Sequence, residues 1–115
     1  MNKLILNCFK FLRLIIFVAL TNFLSVSYAN SQNSDEEWNL IMKAAGIAYG
    51  VAQTELALEN YFKALEIADL NFSDDDPRLF TTLLVLGPTL HAVGRSKEAA
   101  IVMERGLALH ISLYG

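Results

Sequence analysis

Through most of this chain, apolar residues return at every third or fourth position, and no stretch alternates strictly between apolar and polar. Trp38, Ile41, Met42, Ala45 and Tyr49 mark one face of a first helix. Ser34-Asp35-Glu36-Glu37 opens it: Ser34 and Glu37 have capping-box spacing, and the acids suit the positive end of the helix dipole. Gly46 and Gly50 each cost the helix about 1 kcal/mol against alanine. Beside Ala44, Ala45 and Ala48 they point to close approach by a neighbouring helix. A break is expected near Ala52-Gln53-Thr54, with Thr54 capping a second helix from Glu55 to about Asn71. Leu56, Ala57, Leu58, Tyr61, Ala64, Leu65, Ala68 and Leu70 are its apolar members. Glu59 and Lys63 form a favourable pair one turn apart on its polar side. Phe72 to Asp75 is a turn.

Asp76-Pro77-Arg78 starts a third helix. Asp76 caps the first free amides, and Pro77 takes the first helical position, where no donor is required. The helix runs to about Val93, and Leu79, Phe80, Leu83, Leu84, Val85, Leu86 and Leu90 make it apolar on most sides, so it is expected to be covered on most sides. Pro88 inside it predicts a kink. Gly94 closes it, and Ser96 is expected to cap a fourth helix from Lys97 to about Tyr114. The fold class expected is all-α.

The N-terminus has a different pattern. Lys3, Lys10 and Arg13 make a basic start, Leu14 to Leu24 is an apolar run, and Ser27-Tyr28-Ala29 puts small residues where a signal peptidase reads. Residues 1–29 read as a signal peptide cleaved after Ala29, with an uncleaved anchor as the alternative. The run is short against the ~20 residues of a membrane span. Residues 30–34 (Asn-Ser-Gln-Asn-Ser) read as a linker. All 12 acids and six of the nine bases follow residue 29, so the processed chain is acidic, which disfavours nucleic acid and anionic lipid. Cys8 is the sole cysteine and would leave with the signal, excluding disulfides.

The segment behind Asp76 repeats an earlier one. At an offset of 42 residues, Ala45 meets Gly87, Val51 meets Val93, Ala52 meets Gly94 and Thr54 meets Ser96. Ala57 meets Ala99, Tyr61 meets Met103, Ala64 meets Gly106 and Leu65 meets Leu107. Identities are few, but small residues face small and large apolar face large, as in stacked helical hairpins. Asp75-Asp76-Pro77, Leu83 to Leu90, Val93-Gly94-Arg95, Glu98-Ala99-Ala100 and Arg105 to Leu109 carry a resemblance to tetratricopeptide repeats. The first repeat shares it at Ala45, Ala57, Tyr61 and Ala64 to Ala68. The spacing is similar to the longer repeats of kinesin light chains. The resemblance covers about residues 36–115 and implies two stacked antiparallel hairpins, residues 35–73 and 74–115, in a right-handed solenoid.

It also implies a protein-binding module whose first helices line a groove for an extended peptide or a helix. The groove positions carried over are Asn39, Met42, Gly46 and Tyr49, then Thr81, Leu84, Pro88 and His91. The chain lacks the Lys and Asn with which chaperone-binding members clamp a carboxylate, and has Leu84-Val85 where the kinesin-light-chain type carries an Asn pair. The groove expected is therefore apolar, or already filled.

No catalytic or cofactor-binding constellation stands out. His91 and His110 lack ligand spacing, and Asp74-Asp75-Asp76 lacks the alternation, glycine and distant glutamate of a calcium loop. The expectation is a non-enzymatic, exported interaction or scaffold protein, secreted or periplasmic, with a protein or peptide partner and no metal or cofactor. A membrane-tethered assembly subunit held by residues 4–24 is the alternative. The fourth helix lacks the polar outer face of a solenoid cap, and two repeats are fewer than the usual three. A truncated reading frame, a partner or second copy over this end, and an exposed sticky surface compete as explanations; self-association through the C-terminal helix is expected.

Overall fold

A computed structural model describes residues 2–115. Among them there are four helices and no strand: α1 Asn2–Gly50, α2 Thr54–Asn71, α3 Pro77–Ala92 and α4 Ser96–Tyr114. The chain divides into two units, one ending at Asn33 and one spanning Ser34–Gly115.

The first unit is the front of α1. Every described residue up to Asn33 is exposed. By length and composition this helix is able to cross a membrane. The Leu14–Leu24 run, taken alone as too short for a span, is part of a longer apolar helix flanked by Phe9, Phe11, Leu12 and Val26. Two polar interruptions are satisfied on the helix's own backbone: the Thr21 hydroxyl donates to the Val18 carbonyl and the Ser25 hydroxyl to the Asn22 carbonyl, both at 2.9 Å. The expected linker at residues 30–34 is helical. It contains neither proline nor glycine, and Asn, Ser and Gln each cost only a few tenths of a kcal/mol in a helix. The helix therefore does not begin at Ser34, although the division between the two units falls there.

The second unit is built around α3, which packs against both α2 and α4. One core cluster joins Ala45 and Ala48 of α1, Ala57, Leu58 and Tyr61 of α2, Leu86 and Leu90 of α3, and Ala99 of α4. The other joins Trp38, Ala64, Ala68, Leu79, Leu83 and Leu109. Of the small residues of α1, Ala45 and Ala48 pack into this core, whereas Ala44, Gly46 and Gly50 are exposed and the two glycines have no neighbour within 4 Å of an added Cβ, so they mark no close approach. The buried face of α1 runs through Ala48 rather than Tyr49, which stays exposed.

The 42-residue repeat is visible in the backbone of the two hairpin turns. Gln53 N–H donates to the Ala48 carbonyl and Arg95 N–H to the Leu90 carbonyl, each at 2.9 Å. Ala52 N–H bonds Tyr49, and Gly94 N–H bonds His91. Ala52 (φ 60°) and Gly94 (φ 81°) hold the same left-handed conformation.

Four helix starts, at Ser34, Thr54, Asp76 and Ser96, were expected to be capped by side chains, and one is; Ser34 lies inside α1. Asp76 accepts from the Arg78 amide at 2.9 Å, with Pro77 at the first helical position. The Arg78 guanidinium bonds the same carboxylate (2.9 and 2.8 Å), reaches Asp35 of α1, and lies 3.6 Å from the Phe72 ring centre. Thr54 and Ser96 are not caps. The cap positions are Gln53 and Arg95, neither with a side-chain capping bond to the helix backbone. The shared turn brings the carbonyls of Gln53 and Arg95 to accept from Ala57 and Ala99, which starts each helix one residue earlier. α3 continues through Pro88 to Ala92. The cover expected on most sides of α3 is absent at Leu84, which is exposed.

Candidate functional site

The turn at Ala52 carries α2 back beside the end of α1, and α3 enters from the Asp76 cap alongside both. Where these helices meet, Tyr49, Tyr61, Leu84, Val85, Pro88 and Thr89 line a cavity of about 260 Å³. Its walls are largely aromatic and aliphatic. The Thr89 hydroxyl is turned away into a 2.7 Å bond to the Val85 carbonyl. Burial holds the Tyr61 phenol above its ordinary value, and Tyr49 adds to the shift. Tyr61 is thus a neutral hydrogen-bonding group throughout the ordinary pH range. Small-molecule pockets usually measure ~300–1,000 Å³, so this cavity suits one or two side chains of a polypeptide better than a cofactor.

Three of the eight groove residues, Tyr49, Leu84 and Pro88, line this cavity. The other five do not. Asn39 and Gly46 are exposed, and Met42 is half-buried against the core. Thr81 is exposed, with its hydroxyl donating to the Pro77 carbonyl at 3.0 Å. His91 is exposed at the hairpin turn, its Nδ1 3.3 Å from the Ser96 hydroxyl. The cavity face of α3 is rotated toward Val85 and Thr89 relative to the face expected. Tyr61, read as packing, is both buried and part of the cavity wall. Its position opposite a small-residue helix was the available signal.

A second groove lies on the other side of α3. Phe80, Leu83, Leu84, Pro88, Met103 and Leu107 line most of it, with Gly106 and His110 completing its α4 wall. It too has a volume of about 260 Å³. His110 stacks between Phe80 (5.3 Å) and Tyr114 (5.1 Å). Met103 lies directly over Gly87, so close that a Cβ there would come within 2.6 Å of Met103 Cγ. Ile101, Met103, Leu107 and Ile111 are exposed on α4.

Among the described residues, no group of three or more His, Cys, Asp or Glu side chains is placed to hold a metal ion. The clustered charges are ion pairs: Lys63–Glu59 at 3.2 Å, Arg95–Glu98 at 2.6 Å, and Arg105–Asp69 joining α4 to α2. No family model, curated protein or solved structure matches the chain.

Proposed function

We propose that this chain is an exported tetratricopeptide-like module that binds a protein or peptide through the Tyr49–Leu84–Pro88 cavity, without catalysis. The observation that carries the reading is the cavity itself. Two tyrosines and an exposed leucine and proline converge between α1, α2 and α3, with no nucleophile and base beside them. Tyrosine gives a large apolar contact and one hydrogen-bonding tip, a combination suited to peptide side chains. The exposed apolar front of α1 supports export as a signal sequence, with cleavage after Ala29 and a secreted or periplasmic destination.

A photo-crosslinking residue placed at position 49 in the full chain, expressed in its own cell, tests the binding reading. A discrete adduct at position 49, absent when the same residue replaces the distant Lys97, is the expected result. Equal labelling at both positions, or none at 49, overturns it.

The second reading is a membrane-tethered assembly subunit held by residues 4–24. The apolar N-terminal helix, long enough to cross a membrane by length and composition, supports it. N-terminal sequencing separates the two: a chain starting at Asn30 supports the processed form, and one retaining Met1 supports the tether.

A further inference from the structure

We infer that copies of this chain stack head to tail, with the outer face of α1 from one copy seated in the α3/α4 groove of the next. The surfaces concerned are the two ends of the Ser34–Gly115 unit; the groove shares Leu84 and Pro88 with the Tyr49 cavity, and the inference goes beyond the binding role proposed above.

The internal repeat shows what such a groove holds. Moved back by 42 residues, Phe80, Leu84, Met103, Gly106 and Leu107 become Trp38, Met42, Tyr61, Ala64 and Leu65. In the first repeat those positions are buried or half-buried, because α3 covers them. In the second repeat the same wall is open: Leu84 is 57%, Met103 54% and Leu107 62% exposed. A groove that takes a helix in one repeat stands empty in the other.

The same offset identifies the helix that fits. α3 turns Thr82, Leu86 and Thr89 toward the first repeat, and Val93 at its C-cap follows. Thr82 accepts from Trp38 Nε1 at 3.0 Å, Leu86 lies in the core cluster shared with α1 and α2, and Val93 packs on its edge. The counterparts on α1 are Leu40, Ala44, Ile47 and Val51. Leu40, Ala44 and Ile47 lie along α1, and Val51 follows in the turn just past its end; all four are exposed. Leu40 is 69%, Ile47 60% and Val51 62% exposed. The chain therefore carries both halves of a joint it already makes once internally, one at each end.

The charges agree. Inside the molecule Leu79 shares a cluster with Ala68. At the joint between copies, their counterparts are Glu37 on the incoming α1 and His110 on the groove. A carboxylate and an imidazole thus take the positions that leucine and alanine of one core cluster hold in the internal joint. Such an interface is heterologous, so it propagates into rings or filaments rather than closing as a two-fold dimer.

The test uses two variants of the full chain in non-ionic detergent: Ile47→Glu, which blocks the α1 end, and Leu107→Glu, which blocks the groove end. Both sites are exposed, and an unchanged helical circular dichroism spectrum checks the folded state of each. Sedimentation velocity of the wild-type chain is expected to show a concentration-dependent series of oligomers. Each variant alone is expected to be monomeric. Their equimolar mixture is expected to form a one-to-one dimer, because each supplies the end that the other lacks. Four results would overturn the inference: a monomeric wild-type chain, a mixture that stays monomeric, a loss of association in Leu107→Glu alone (α4 packing on α4), or association indifferent to both changes (contact through the apolar front of α1).

Discussion

The Trp38 indole N–H donates to the Thr82 hydroxyl at 3.0 Å, and that hydroxyl donates in turn to the Arg78 carbonyl at 2.8 Å. The chain joins α1 to the first turn of α3 across 44 residues of sequence. Both side chains are buried. Thr82→Val keeps the shape and removes the acceptor, leaving a buried indole N–H unsatisfied. It is expected to cost about 1–3 kcal/mol. Urea unfolding followed by Trp38 fluorescence measures this, and an unchanged midpoint would show that water replaces the hydroxyl.

The paired turns give a prediction with opposite signs. Ala52 occupies a left-handed conformation that glycine adopts without strain, and its counterpart Gly94 already is glycine. The left-handed region costs an L-residue roughly 1–2 kcal/mol. Ala52→Gly should therefore raise stability by about 1 kcal/mol, and Gly94→Ala should lower it by a similar amount. There is open space around Gly94, so the effect is conformational rather than steric. Thermal melts of the two variants in opposite directions are the expected outcome.

Asp76 carries the pH dependence of the boundary between hairpins. The Arg78 side chain, followed by its backbone amide, holds the Asp76 carboxyl below its ordinary value of 3.8, against an opposing effect of burial. The folded value is the lower one, so the stabilisation is present above 3.8 and is lost as pH falls through the folded value. Asp76→Ala should cost about 1 kcal/mol at neutral pH, as loss of an N-cap does. The gap between wild type and variant should narrow as the pH drops below 3.8. A gap constant with pH would remove Asp76 from this role.

Gly87 and Met103 should be coupled. Alanine at a helix interior is favoured over glycine by about 1 kcal/mol. At position 87 the added Cβ meets Met103 Cγ at 2.6 Å, so the gain is offset by the displaced methionine. In a Met103→Ala background Gly87→Ala should stabilise, while in the wild-type chain it should not. The coupling from a double-mutant cycle is expected to exceed about 0.5 kcal/mol.

The positions of the helices were legible because their punctuation is local. Asp76-Pro77 and Gly94 act through backbone geometry within a few residues, and the periodic leucines of α3 need only an apolar neighbour. The caps expected at Thr54 and Ser96 fail because the preceding turn, shaped by Ala52 and Gly94, already presents a carbonyl to the new helix. A hydroxyl one residue later has no free amide to take. The stretch 30–34 is helical for the complementary reason: its composition is polar, but it holds neither proline nor glycine to interrupt a helix, and the division between the two units falls within it. The cavity was half legible. Tyr49, Leu84 and Pro88 follow from repeat position, whereas Val85 and Thr89 depend on how far α3 is rotated, which is decided by Trp38 and Tyr61 on other helices.

Leu84 and Pro88 belong to both hollows, one on either side of α3. They form a party wall. A guest that presses Leu84 into a new rotamer from the Tyr49 side also reshapes what a neighbouring copy would meet from the other. Energetic linkage of this kind runs equally in both directions. Leu84→Ala removes the shared wall, so it is expected to change both the position-49 crosslink and the self-association proposed above.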